Sequence, residues 1–232
     1  MSSETQATDP LQAQPDTPSA KIIAVLSSIA MFSGFLVVLT SQLTAPFIEE
    51  NQRIAIEQAV SQVIPGTVTH REFMIQEQQL KPVEKGSDHP IIYAGYDADG
   101  KLKGIAANAG AQGYAGMVYL LYGYQPDCEC IRGIKVLKMA ETPGLGDKII
   151  TDANFQANFD QLDASLNDEH SALNNPIVTV KHGSKKNDWE IDAISGATIS
   201  SKAVGKALNQ SAQSLLPLIQ PLLPQLSEAG HE

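Results

Sequence analysis

Cysteine is nearly absent. The 232 residues hold two, Cys128 and Cys130, too few for a disulfide scaffold or a cysteine-ligated cluster. On a regular strand the two would share one face with Cα atoms about 6.5 Å apart, the outer edge of disulfide geometry. The pair therefore reads as two plain thiols or as a labile oxidised pair. Basic residues are also scarce. Lys and Arg number 16 against 26 Asp and Glu, a formal net charge of −10. That argues against a nucleic-acid partner, whose backbone needs a basic face, and disfavours loose docking on an anionic membrane surface. The histidines at 70, 89, 170, 182 and 231 show no metal-ligand spacing. Trp189 is the single tryptophan, expected to be buried rather than reactive. No nucleophile elbow or Ser/His/Asp set is present, and no internal repeat. Gly144-Leu145-Gly146 is not a dinucleotide fingerprint, because Ile149 stands where the third glycine belongs.

One long uncharged run is present. Residues 22–48 carry no charge, and 22–43 are dominated by Ile, Val, Leu, Ala and Phe, enough to cross a bilayer. The preceding residues are acidic and polar rather than a basic n-region, so the run reads as a retained anchor and not a cleaved signal peptide. Lys21 precedes it and Glu49-Glu50 follow, which puts the N-terminus in the cytoplasm and the rest outside. Residues 1–20 read as a disordered cytoplasmic tail.

Beyond the anchor, Ile56, Ala59, Val60 and Val63 repeat at helical spacing up to Pro65-Gly66, a helix expected to continue from the membrane. A poorly patterned polar stretch follows at 77–90. Strands are expected at 91–96, 102–107, 118–124, 131–137, 177–181 and 189–194, with a turn at Asp97-Ala-Asp-Gly100. Phe155, Phe159 and Leu162 mark a short helix capped by Thr151 or Asp152. Strands in a meander with helices set to one side give an α+β domain, not a doubly wound sheet. The apolar run 215–226 is broken by Pro217, Pro221 and Pro224, which exclude a regular helix; packing on its own domain is the simplest role.

The most informative string is Asp192-Ala-Ile-Ser195-Gly196-Ala197-Thr198-Ile-Ser-Ser201. Val204, Ala207, Leu208 and Ser211 continue it at i, i+3, i+4 and i+7 from Ser201, a helical face. Thr198 is thus expected just ahead of a helix N-terminus, where free N–H groups and the helix dipole favour phosphate. By residues alone, the string is either a Ser/Thr-capped helix after a glycine turn or an anion site.

The string resembles the flavinylation motif Asp-x-x-Ser/Thr-Gly-Ala-Thr-x-x-Ser/Thr, at Asp192, Ser195, Gly196, Ala197, Thr198 and Ser201. Glu141-Thr142-Pro-Gly144-Leu145-Gly146-Asp-Lys148 resembles the flavin-facing loop of the G subunit of the Rnf electron-transport complex. Gly113-Tyr114-Ala115-Gly116 is similar to the Gly-Tyr-Ser-Gly element of that family, with alanine replacing the serine. The three elements keep the family's order, and with the anchor the resemblance covers most of the chain. The related C subunit of Na⁺-translocating NADH:quinone reductase shares the attachment motif; the Gly-Leu-Gly-Asp-Lys context and the length fit Rnf better.

The resemblance implies an anchored periplasmic flavoprotein in the inner membrane, with FMN esterified through its phosphate to Thr198. A flavin transferase would move FMN from FAD with Mg²⁺ and read Asp192 and Ser201. Ser195, Gly196, Ala197, Glu141, Thr142, Gly144, Leu145, Gly146, Lys148 and Tyr114 would contact the cofactor. Exposed amides of the glycine-rich loop would hydrogen-bond the flavin ring, Thr142 and Leu145 would supply a hydroxyl and an apolar surface, and Lys148 would pair with the phosphate or stay solvated. Partners would be the other membrane subunits of an Rnf-type complex, which couples ferredoxin/NAD electron transfer to ion translocation; this chain would be a relay. The implied organisation is a tail at 1–20, a transmembrane helix at 21–46, a membrane-proximal helix and polar connection at 47–90, an FMN-binding domain at 91–216 and a Pro/Leu-rich tail at 217–232. The family pattern lacks the cysteine pair, whose role stays open. Competing readings are a flavin-free assembly or binding module and a stand-alone flavin reductase.

Overall fold

The computed structural model describes residues 19–83 and 89–231. The chain divides into two units, 1–51 and 52–232. Except for Ser19 and Ala20, which begin the first helix, the expected tail lies outside the described residues. In the first unit the chain is helical from residue 19, part of α1 (Ser19–Val63), which contains Pro46. Its apolar window has a mean hydropathy of 2.5 and is long enough to cross a membrane.

In the second unit, seven strands form one antiparallel sheet: β1 (Thr69–Gln76), β2 (Gln79–Lys81), β3 (Ile91–Tyr96), β4 (Leu102–Gln112), β5 (Met117–Gln125), β6 (Cys130–Lys138) and β7 (Leu162–Asp163), in the order β2-β1-β3-β4-β5-β6-β7. A separate parallel pair joins β8 (Val178–Val180) to β9 (Glu190–Asp192). The short helices α2 (Lys148–Thr151) and α3 (Ala153–Gln156) precede the long α4 (Thr198–Ile219) and α5 (Leu223–Glu228). The architecture is α+β.

Alternation along the strands builds two apolar faces. Ile105, Ala107, Leu120 and Tyr122 join the main core with Val204, Ala207, Leu208 and Leu215 of α4. The intervening Ala106 and Leu121 face the other way, against Ala59, Val60 and Val63 at the end of α1. That helix end lies so close to the sheet that a Cβ on Gly123 would stand 2.0 Å from the Val63 carbonyl oxygen. The Asp97 turn forms as its residues dictate: Oδ1 accepts from the Asp99 and Lys101 amides at 3.0 and 2.9 Å, and Gly100 takes φ +76°. Asp152 caps α3 by accepting from Phe155 N at 2.9 Å.

Several expectations need correction. The sheet begins at Thr69, so β1 and β2 belong to the domain and not to a connection ending at 90; β1 pairs with β3 from Thr69↔Tyr96 to Met74↔Ile91. Leu162 lies in a strand rather than the short helix. The C-terminal run is helical despite its prolines. Pro217 sits inside α4, while Pro221 and Pro224 occupy first-turn positions of helical segments, where proline's missing N–H costs nothing. Burial of Leu215, Leu216, Ile219, Leu222 and Leu226 outweighs the bond lost at Pro217, at about 1.5–3 kcal/mol per side chain. No domain edge falls at 216. Trp189 is half-buried, not buried. The two cysteines are not strand neighbours: Cys128 lies in the β5–β6 turn, and a disulfide joins it to Cys130 with Cα atoms 5.2 Å apart.

Candidate functional site

The three motif loops converge at one end of the sheet. Gly113–Gly116 is the β4–β5 turn, closed by Gly113 N donating to Gly116 O at 2.8 Å. The loop at 141–148 follows β6. The Gly-Ala-Thr turn leads into α4, with Gly196 at φ +82°, where a side chain is disfavoured and glycine is not. A cleft of about 350 Å³ lies between them, lined by Tyr114, Glu141, Thr142, Leu145, Gly146, Gly196, Ala197, Thr198, Ile199 and Ser200.

Glu141 ties the three loops together. It is 7 % exposed; Oε1 accepts from Ala115 N at 3.1 Å, and Oε2 accepts from the Ser200 hydroxyl. A carboxylate buried on charge-assisted hydrogen bonds is stable there, whereas an unpaired one is not. The packing is tight enough that a Cβ on Gly113 would stand 2.4 Å from Oε1, and one on Gly146 would stand 2.5 Å from Oε2.

Thr198 is the first residue of α4, not the residue ahead of it, and is exposed. The N-cap is Ala197, with no side-chain cap, so the serines do not cap this helix. Ser201 instead braces the turn: its hydroxyl accepts from Ile194 N at 3.1 Å and donates to Ala197 O at 2.9 Å. The 22-residue helix α4 begins with N–H groups that have no earlier helical carbonyl to bond, beside the Thr198 hydroxyl.

The glycine-rich loop departs from expectation. Leu145 N and Gly146 N both donate to Thr142 O, at 3.2 and 3.1 Å, so these two amides are spent inside the turn. Leu145, on the wall of the cleft, is exposed, and Tyr114 is 70 % exposed. Gly144, at φ +78° with open space around its Cβ position, does not line the cleft. Asp147 Oδ1, in the same loop, is buried with no hydrogen-bond partner among the described residues.

Lys148, Asp192 and Ser195 line a neighbouring cleft of about 460 Å³, with Thr151, Asp152, Asn154, Phe155 and His182. Asp192 is braced there: Asn158 Oδ1 accepts from Asp192 N at 3.0 Å, Ser184 N donates to Asp192 Oδ1 at 3.4 Å, and His182 Nδ1 lies 3.4 Å from Oδ2. Its side chain stays 25 % exposed. Ile199, Ser200, Asn158 and His182 were not singled out from sequence. Ile199 and Ser200 fall on unspecified motif positions, and Asn158 and His182 reach Asp192 only through the fold.

The family model for the FMN-binding domain matches residues 113–213, which span all three loops. The G subunit of the ion-translocating oxidoreductase complex of Methanosarcina acetivorans is 30 % identical over 194 residues, 82 % of this chain and 91 % of that one. The G subunit of the Na⁺-translocating ferredoxin:NAD⁺ oxidoreductase complex of Acetobacterium woodii is 32 % identical over 198 residues, 83 % and 89 % of the two chains. Among solved structures, NqrC of Shewanella oneidensis superposes with a TM-score of 0.60 at 18 % identity, covering 77 % of this chain and 99 % of that one, a likeness of fold. The chain belongs to the family of ion-translocating oxidoreductase complex G subunits, and its residues 113–213 are an FMN-binding domain.

Proposed function

We propose that this chain carries FMN covalently, as a phosphoester of Thr198, and relays electrons within an ion-translocating oxidoreductase complex. The observation that carries the reading is the exposed Thr198 hydroxyl at the first position of a long helix, on the wall of a cleft shared with Tyr114, Thr142 and Leu145. Those residues suit a flavin nucleotide. Unbonded first-turn amides favour a phosphate, and Tyr114, Leu145 and Ile199 offer apolar surface to a planar ring. The turn at Gly196, with nothing within 4 Å of its Cβ position, leaves room for the ester.

In the attachment step, Thr198 Oγ1 would be the nucleophile towards the FMN phosphorus of FAD, AMP would leave as the pyrophosphate bond breaks, and the hydroxyl proton would pass to a base of a flavin transferase. Asp192, held at the rim of the adjacent cleft, and Ser201, which fixes the turn, serve transferase recognition. The flavin supplies the one- and two-electron chemistry, and the protein tunes and holds it. Glu141 keeps the three loops in register. The apolar segment of α1 is a single inner-membrane anchor, with the N-terminus cytoplasmic and the FMN-binding domain periplasmic.

Intact mass spectrometry after co-expression with a flavin transferase tests the reading. One FMN ester is expected on the wild type and none on Thr198→Ala. An unmodified wild type beside a competent transferase overturns it in favour of a flavin-free assembly module. Alkaline phosphatase fused after Glu232 should be active; a stable, inactive fusion reverses the topology.

A further inference from the structure

The Cys128–Cys130 bridge lies outside everything assigned to the flavin. It follows the far end of β5, whose nine residues span roughly 26 Å from the Tyr114 loop. As a structural staple it is poorly placed. The stability a disulfide gives by restricting the unfolded chain grows with the loop it closes, and this one encloses Glu129 alone. Glu129 itself sits at φ +48°, a left-handed conformation unfavourable for a residue with a side chain. The surrounding backbone holds it there: Glu129 N donates to Pro126 O at 3.2 Å, and Ala164 N donates to Glu129 O at 3.0 Å. The fold thus imposes the tight turn that brings the sulfurs together.

The bridge is also reachable. Cys128 is half-buried, Cys130 is 2 % exposed, and both line a cleft of about 340 Å³ with Gln161, Asp163, Asp188 and Trp189. Trp189 is the half-buried tryptophan noted above. Among the described residues, the charged ones lining this cleft are the two carboxylates, Asp163 and Asp188.

We propose that Cys128–Glu129–Cys130 is a thiol–disulfide exchange site whose partner is a protein dithiol presented on a neutral or cationic apolar face. The partner's thiolate attacks Sγ of Cys128, the more accessible sulfur. A bond forms between those two sulfurs, the Cys128–Cys130 bond breaks, and Cys130 leaves with the electron pair and takes a proton from solvent. The partner's second thiol then attacks its own sulfur in the mixed disulfide and releases Cys128, which is protonated in turn. Two electrons and two protons pass to this chain, and the dithiol becomes a disulfide. Trp189 offers the partner an apolar surface, and the two aspartates repel an acidic thiol.

The full-length protein in detergent, with dithiothreitol as the probe, tests this. A bridge that is a weak staple should be at least half open with oxidised dithiothreitol in about 100-fold excess over reduced, read by maleimide labelling, with near-UV circular dichroism unchanged. At equal thiolate concentration and low salt, cysteamine should open it about ten times faster than glutathione, and the ratio should shrink in 1 M salt. The C128S/C130S double variant should melt within about 2 °C of wild type, since so small a loop adds little. A bridge that opens only in denaturant, or a large drop in melting temperature on its removal, identifies a structural disulfide and overturns the proposal. Equal rates with the two thiols overturn the choice of partner face. Maleimide labelling and the ratio of thiol rates read the sulfurs and not Thr198 or its flavin, so failure here and failure of the flavin reading are separable.

Discussion

Glu141 and Ser200, 59 positions apart, meet in a buried hydrogen bond in which the serine hydroxyl donates to Oε2 of the carboxylate. The other carboxylate oxygen accepts the Ala115 amide, so one side chain joins the loop after β4, the loop after β6 and the first turn of α4. Glu141→Ala removes both bonds and leaves the buried Ser200 hydroxyl without its acceptor. A loss of about 2–4 kcal/mol is expected, read by urea unfolding, together with slower FMN attachment in a transferase assay. Glu141→Gln should recover a large part of both, since its amide oxygen still accepts.

The glycines of the adjacent loop separate two kinds of constraint. At Gly146 a Cβ would stand 2.5 Å from Glu141 Oε2 and 2.7 Å from Ser200 Oγ. Gly146→Ala should therefore cost about 1–3 kcal/mol by overpacking and disturb the Glu141–Ser200 contact. At Gly144 nothing lies within 4 Å, but φ is +78°. Gly144→Ala should cost only the left-handed penalty of about 1–2 kcal/mol. Thermal unfolding of the two variants, with flavinylation yield alongside, checks the contrast: only the Gly146 variant should lose yield.

Leu226 is fully buried, and its carbonyl accepts the Tyr96 hydroxyl at 2.8 Å, which fastens the C-terminal segment to β3. Leu226→Ala is expected to cost about 2–5 kcal/mol as a cavity. Tyr96→Phe should cost about 1 kcal/mol through the lost bond. A segment that merely trailed from the domain would show neither effect in a denaturant titration.

Burial holds the Tyr122 phenol up at about 12, against the pull of its hydrogen bond with Ser211. Because the folded value lies above the unfolded value of 10.0, the native state keeps its proton longer. The stability this contributes is complete below about pH 10 and disappears as pH rises towards 12. Between pH 9 and 12 the wild type should lose roughly 2–3 kcal/mol more than Tyr122→Phe, from the shift of about 1.4 kcal/mol per pKa unit. Urea melts followed by Trp189 fluorescence at several alkaline pH values measure the difference.

Much of the domain could be read from local pattern. The strand expected at 91–96 is β3 to the residue, because Ile91–Tyr96 is bounded by Pro90 and the Asp97 turn. The helix after Thr198 follows from its apolar spacing. β1 was not legible: His70, Arg71 and Glu72 break the alternation, and its pairing with β3 supplies what local propensity does not. The C-terminal helix was masked by its prolines, whose effect depends on which turn each one occupies.

Within the site, the motif strings single out the Thr198 hydroxyl and the glycine turns by residue type alone. They could not reveal that Glu141 is the common buried acceptor, nor that Leu145 and Gly146 spend their amides on Thr142. They also could not divide the motif residues between two clefts, with Lys148, Asp192 and Ser195 in the second. Local sequence determined the apolar helix, the antiparallel strands and the chemistry available at each turn, because periodicity, φ preference and side-chain type act over a few residues. Which of those groups meet was decided by tertiary packing: burying a carboxylate requires donors brought from distant loops, and only the folded sheet and α4 bring Ala115 and Ser200 to the same one.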